Sequence, residues 1–322
     1  MRVLFAGSPV IAVPSLVRLS VEHEVAGVLT NPESAQGRGL AVARTAVAQT
    51  AAVLFGESVP VLAFERLGPE ARAAVAALRP EILVTFAYGR IFGPRFLALF
   101  PRGGVNVHPS LLPRYRGPTP IPFAIMNRES ETGITVQRLA LEMDSGDILG
   151  VEKLPLRGTE TTDDLTETAA LLGADLLSRV LQDIAAGREA ARPQEGQPSY
   201  CSLLNKEDGL IDWGAPVLDI DAKIRAYSPW PGAFTWYRGQ RLGLLESVPY
   251  PGPESEEPRP GTLLGLDKRR GLMVKTVDGE LALRRLQIQN KKALPYRDFA
   301  NGIRDLAGVV LGLPSPEEAD RP

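Results

Sequence analysis

Residues 2–30 read Arg-Val-Leu-Phe-Ala-Gly-Ser-Pro-Val-Ile-Ala-Val-Pro-Ser-Leu-Val-Arg-Leu-Ser-Val-Glu-His-Glu-Val-Ala-Gly-Val-Leu-Thr. The apolar run from Arg2 to Ala6 is short enough for a buried strand. Gly7-Ser8-Pro9 makes a turn, a helix follows through about Leu19, and Val25 to Thr30 is a second buried strand. Strand, helix and strand in this order predict a βαβ unit and a parallel sheet. A dinucleotide fingerprint would place G-x-G-x-x-G after the first strand. Here Gly7 is followed by Ser8 and Pro9, which argues against a nicotinamide or flavin enzyme.

The α/β pattern continues outward. Residues 31–40 are a polar loop in which Gly37 and Gly39 flank Arg38. That loop is either an ordinary solvated connection or a guanidinium offered to a phosphate. A helix over 42–55, a strand over 59–63 and a helix over 69–78 come next. Glu81 to Ala87 is the clearest buried strand, and it ends at Tyr88-Gly89-Arg90-Ile91. Open α/β sheets bind ligands at the carboxyl ends of strands, so this turn is a candidate pocket wall.

The next strand carries the chemistry. Residues 103–117 read Gly-Gly-Val-Asn-Val-His-Pro-Ser-Leu-Leu-Pro-Arg-Tyr-Arg-Gly. Asn106 and His108 are two apart and so project from one face of a strand. Prolines at 109, 113, 118, 120 and 122 stiffen the loop that follows. Strands over 133–140 and 147–154 form an expected antiparallel hairpin around Leu141-Glu142-Met143-Asp144-Ser145-Gly146. Asp144 has two readings: ordinary Asp-Ser-Gly turn chemistry, or the carboxylate partner of His108. An amide, an imidazole and a carboxylate can together hold an oxyanion, move a proton and orient the group that moves it. No Gly-x-Ser-x-Gly elbow is present and Cys201 lies in a linker-like region, so the acceptor is expected to attack directly, without a covalent enzyme intermediate. His23 and His108 are the only histidines, and they give no local metal-ligand spacing; no metal is expected.

Composition sets the frame. The 322 residues are 44% hydrophobic and 23% charged with net charge −2, as in ordinary globular proteins. No apolar run approaches the ~18 residues of a membrane helix, and the N-terminus lacks a secretory pattern. A single cysteine fits a reducing cytoplasm. After a helix over 161–186, residues 189–208 read as an interdomain linker. A helix over 216–226 and strands over 233–238, 241–248, 261–266, 271–277 and 280–288 then suggest a small β-barrel of the oligonucleotide-binding (OB) type, with turns at Arg238-Gly239 and Asp278-Gly279. A last helix is expected over 296–311, with a frayed tail. From Arg259 to Arg297 ten basic residues face three acids, a net of +7, so the rest of the chain carries −9. A basic barrel beside an acidic domain suits a phosphate backbone, although a solvated basic face is the plainer alternative.

Taken together, Asn106-x-His108, Ser110-Leu-Leu-Pro113-Arg-Tyr-Arg-Gly117 and the Asp144 loop resemble the folate-dependent formyltransferases. The likeness extends to Phe5-Ala-Gly-Ser-Pro9, Ala87-Tyr-Gly-Arg90, Gly37-Arg-Gly39, Lys206 to Trp213, Pro229-Trp-Pro231 and Lys291-Lys292. It implies a Rossmann-like, doubly wound α/β catalytic domain over 1–188, a linker over 189–208 and an OB-like barrel over 209–322. It implies 10-formyltetrahydrofolate as donor, held by Tyr88, Gly89, Arg90, Ile91, Ser110, Leu111, Leu112, Pro113, Leu141 and Glu142. Asn106 and His108 would hold the oxyanion, while Asp144 orients His108 and helps remove the proton. With the second domain included, the implied acceptor is the α-amine of initiator methionyl-tRNA, met by Arg38, Lys206, Lys268, Arg269, Arg270, Lys291 and Lys292. A nucleotide-linked amino sugar is the alternative acceptor. The loop after Arg38 is less basic than the family pattern. The chain is expected to act as a cytoplasmic monomer.

Overall fold

The computed structural model describes residues 1–36, 41–255, 257–302 and 305–312. Arg38, with Gly37 and Gly39, lies outside them. Two compact units form: one from residues 1–120, 131–155 and 165–202, the other from residues 121–130, 156–164 and 203–322.

The first unit is built on a seven-stranded sheet. In chain order the elements up to residue 185 are β1 (Arg2–Gly7), α1 (Val13–Glu22), β2 (Glu24–Thr30), β3 (Ser34–Gln36), β4 (Ala41–Ala43), α2 (Ala46–Phe55), β5 (Val61–Ala63), α3 (Pro69–Ala77), β6 (Ile82–Phe86), α4 (Pro94–Leu97), β7 (Gly104–His108), α5 (Pro120–Met126), β8 (Glu131–Arg138), β9 (Ile148–Pro155) and α6 (Thr162–Ala185), of which α5 beyond Pro120 and the first residues of α6 belong to the second unit. The sheet runs β5-β2-β1-β6-β7-β8-β9. The first five are parallel, and β8 and β9 add antiparallel at the edge. Strand order reverses beside β1, which gives a Rossmann-like switch point.

Local chemistry accounts for these elements. β6 is buried along its whole length, as parallel strands covered on both faces require. Pro69 opens α3, where its missing N–H costs nothing. Thr45 Oγ1 accepts from Ala48 N at 3.1 Å and caps α2. A Cβ on Gly7 would sit 2.9 Å from the Phe86 carbonyl, so that glycine serves the close packing of β1 on β6. The expected polar loop over 31–40 is in part a hairpin, with β3 paired antiparallel to β4.

The second unit continues with α7 (Val217–Ala226), β10 (Phe234–Tyr237), β11 (Gln240–Pro251), β12 (Leu263–Asp267), β13 (Gly271–Thr276), β14 (Gly279–Ile288), β15 (Leu294–Pro295) and α8 (Tyr296–Asn301). Its ladder runs β10-β11-β14-β13-β12, with β15 added to β14. The expected helix over 296–311 stops at Asn301. Residues 309–312 instead return to the sheet: Leu263 N bonds Val309 O at 2.8 Å, Leu311 N bonds Gly261 O at 2.8 Å, and Trp236 N bonds Gly312 O at 3.0 Å. This segment closes the antiparallel sheet into a barrel around Trp213, Ile220, Leu244, Val274 and Leu283. Backbone groups at an open edge need partners, and that need outweighs the helical tendency of the tail.

Within this unit Asp221, 6% exposed, pairs with Arg225 at 2.9 Å and accepts from Ser247 Oγ at 2.7 Å. Arg225→Met strands that carboxylate. We expect a loss of about 3 kcal/mol in urea unfolding; a loss below about 1 kcal/mol would mean that water replaces the guanidinium. Among the described residues no helix is long and apolar enough to cross a membrane.

Candidate active site

β7 delivers the two polar residues that its period of two predicts. The burial pattern of Gly104–His108 leaves Asn106 the least buried, and His108 is 4% exposed. His108 Nε2 lies 2.8 Å from the Tyr115 carbonyl. A carbonyl oxygen only accepts, so Nε2 carries the proton and donates. The other ring nitrogen, Nδ1, faces Asp144 Oδ2 at 3.6 Å.

Asp144 is the hub of the cluster. Its Oδ1 accepts from Gln137 Nε2 at 2.9 Å and from Asn106 Nδ2 at 3.3 Å, and its Oδ2 accepts from Gly117 N at 2.9 Å. Three donors thus converge on one carboxyl group. The residue itself sits at φ +51, in the left-handed region that an aspartate tolerates better than most side chains. Gln137 stands directly opposite Asn106 in the β7–β8 ladder. That pairing brings strand, hairpin and loop to one point.

The rest of the expected donor pocket is placed unevenly. Tyr88 is 2% exposed, and its ring stacks on Phe92 in the core with centroids 5.4 Å apart. Only its main chain serves the turn, where its carbonyl accepts from Asn31 Nδ2 at 3.0 Å. Gly89 takes φ +80 there. Arg90 is tied to Asn31 Oδ1 at 2.7 Å and to the Glu65 carbonyl. Ser110 is fully buried, its Oγ donating to Arg114 O at 2.6 Å, and Leu112 is also buried. Leu111 and Pro113 remain half-buried. Ile91, Leu141 and Met143 expose apolar side chains, and Glu142 is exposed beside them.

In the second unit, Lys268, Arg269 and Arg270 form the β12–β13 turn. Tyr296 Oη and Arg297 Nη2 donate to the Lys268 carbonyl, and Arg284 Nη1 donates to that of Arg269. The barrel thus gathers Arg284 and Arg297 beside that basic turn. Lys291 and Lys292 lie in the separate turn between β14 and β15, and exposed Lys206 opens a short 3₁₀ turn.

Sequence reading passed over Arg116, Gln137 and Gln194. Gln137 is 2% exposed, but its strand also carries Glu131, Thr132, Thr135 and Arg138, so nothing local marked it. Gln194 carried no signal either. Among the described residues no group of three His, Cys, Asp or Glu converges as metal ligands.

Family comparison fits this arrangement. Residues 1–181 match the formyl transferase model, and residues 203–304 match that of the formyl transferase C-terminal domain. The chain belongs to the formyl transferase family. This formyl transferase is 45% identical over 314 residues to a methionyl-tRNA formyltransferase of Treponema denticola, covering 95% of this chain and 98% of that one. It is 42% identical over 316 residues to the methionyl-tRNA formyltransferase of Roseiflexus castenholzii, at 97% and 99% coverage. Two solved structures share the fold. One is the N-formyltransferase from Helicobacter canadensis in complex with folinic acid and dTDP-3-aminofucose (TM-score 0.63, 20% identity, 88% of this chain and 98% of that one). The other is HypX from Aquifex aeolicus with tetrahydrofolic acid (TM-score 0.61, 18% identity, 93% and 46%).

Proposed function

We propose that this formyl transferase moves the formyl group of 10-formyltetrahydrofolate to the α-amine of methionine on initiator methionyl-tRNA. The observation that carries the chemistry is the convergence of Asn106, His108 and Asp144 at the carboxyl end of β7. The acceptor is supported by methionyl-tRNA formyltransferase relatives that match along nearly the whole chain.

The exposed apolar side chains of Ile91, Leu141 and Met143 suit a flat aromatic donor, with Leu111 and Pro113 as the stiff wall beside it. The folate supplies an electrophilic formyl carbon. Asn106 Nδ2 has two hydrogens and spends one on Asp144, which leaves the other for the formyl oxygen. His108 turns Nδ1, the nitrogen that Tyr115 leaves available, toward the same oxygen. Asp144 Oδ2, beside that imidazole, accepts the proton that the attacking amine loses, and the proton passes to the folate nitrogen as its bond to the formyl carbon breaks and tetrahydrofolate leaves. A free α-amine has a pKa near ~8, so a useful neutral fraction exists at physiological pH. We take the enzyme to act as a monomer in the cytoplasm, with Arg38, Lys206, the 268–270 turn and Lys291-Lys292 facing tRNA.

The deciding experiment offers 10-formyltetrahydrofolate with either charged initiator tRNA or an amino-sugar nucleotide. Formylation of the methionine is the expected result; formylation of the sugar alone would overturn the acceptor. Charge reversal at Lys268, Arg269 and Arg270 is expected to weaken tRNA binding and flatten its salt dependence, because fewer counterions are released. An unchanged slope would move the contact elsewhere.

A further inference from the structure

Gln194 lies in the stretch expected to be an interdomain linker, yet residues 192–201 are strapped to the first unit at both ends. Arg192 exchanges backbone hydrogen bonds with Ile148 at 2.8 and 3.0 Å, while Arg116 N bonds Ser199 O and Cys201 N bonds Arg116 O, each at 2.8 Å. Between these ties Gln194 reaches the Asp144 loop. Its Oε1 accepts from Arg116 Nη2 at 2.8 Å and Nε at 3.2 Å. Its Nε2 donates to the carbonyls of Asp144 and Gly146 at 2.8 and 2.9 Å, and reaches Gln137 Oε1 at 3.2 Å. Gln137 Nε2 in turn donates to Asp144 Oδ1 at 2.9 Å.

The direction of every bond in this chain is forced. Arginine has only donors, so it fixes the oxygen of Gln194 toward itself and the amide nitrogen toward the loop. Two hydrogens then serve three acceptors, and the oxygen of Gln137 is turned away from Asp144. The carboxylate has only acceptors, so it closes the relay at the other end. Arg116 is 9% exposed and Gln137 is 2% exposed, which leaves each little freedom to reorient.

We propose that Arg116 and Gln194 are positioning residues. They clamp the 144–146 carbonyls and set the Gln137 amide so that Asp144 presents Oδ2 to His108. The inference rests on the roles given above to Asp144 and His108. It makes the 192–201 segment part of the active-site scaffold, without contact to the reacting atoms.

Gln194→Glu is the sharpest test. The change is nearly isosteric and keeps, even strengthens, the pair with Arg116, but it points an oxygen at three acceptors. Gln194→Ala removes both halves and admits water. If Gln194 merely tied the strap down, the glutamate would be as active as wild type. We expect kcat to fall about tenfold for Ala and about a hundredfold for Glu near pH 8, with both KM values within about twofold. Relative to wild type, the Glu variant is expected to recover as pH falls, because a protonated carboxyl regains a donor. The chain has only two histidines, so imidazole ¹⁵N NMR of the ligand-free protein gives a readout independent of the acceptor. The His108 Nδ1 signal is expected to move in Gln194→Glu while that of His23 stays. An unmoved His108 signal, or a Glu variant with wild-type kcat, overturns the relay. A wild-type enzyme inactive on methionyl-tRNA would overturn the acceptor and leave the NMR test to decide this inference.

Discussion

Replacing His108 by alanine is expected to lower kcat by about 10²–10⁴-fold, the range that a positioned proton-transfer group contributes. The imidazole is held on both sides, by the Tyr115 carbonyl at 2.8 Å and by Asp144 Oδ2 at 3.6 Å. Alanine removes the proton carrier and leaves Asp144 Oδ2 without its imidazole neighbour. Asn106, Gln137 and Gly117 still bind that carboxylate, so the Asp144 loop keeps its place and the effect falls on chemistry. Affinity for initiator methionyl-tRNA, measured by filter binding, is expected to persist. Unchanged turnover would remove His108 from the mechanism.

Gly117→Ala is expected to damage stability and activity together. Gly117 has φ +119, a region that side chains rarely adopt. A Cβ there would stand 2.3 Å from the Cys201 carbonyl oxygen and 3.2 Å from its Sγ. The close atom is backbone, so no rotamer relieves the overlap and the 116–118 segment has to shift. That shift pulls the Gly117 N–H away from Asp144 Oδ2. Strain and overlap together are expected to cost about 3 kcal/mol or more in urea unfolding, with a fall in kcat of at least about tenfold. Gly56 supplies the control: its φ is +56 and nothing lies within 4 Å of an added Cβ. Gly56→Ala carries only the backbone penalty of its glycine-favoured conformation (φ 56, ψ −125), about 1–3 kcal/mol, and leaves turnover unchanged. If the two variants behave alike, packing against Cys201 is not what Gly117 provides.

Side-chain direction separated what could be foreseen from what could not. The period of two along β7 placed Asn106 and His108 on one face, and the hairpin signal around Asp144 placed a carboxylate nearby. Neither local rule reaches the far ends of these contacts. His108 uses its Nε2 on a carbonyl of the following loop, which leaves Nδ1 for chemistry, and only the course of that loop decides this. Tyr88 stands at a strand end and was expected to line the pocket. The backbone at Ala87, with φ +51, turns its ring into the core instead. Gln194 was invisible because a glutamine in a Pro-rich polar stretch has no periodicity to mark it.

The sequence by itself determined the βαβ start, the parallel sheet, the antiparallel hairpins of both units and the trio Asn106, His108 and Asp144. These follow from local period, turn residues and apolar runs, which act over a few residues. Tertiary structure alone decided how the barrel closes, since residues 309–312 find their partners at Trp236, Gly261 and Leu263. It also decided which atoms of Asp144 and His108 face each other. The first step of the relay, Arg116 to Gln194, spans 78 positions, and the next, from Gln194 to Gln137, spans 57. Bonds at that separation depend on where packed elements leave unsatisfied donors and acceptors, and no local pattern records that.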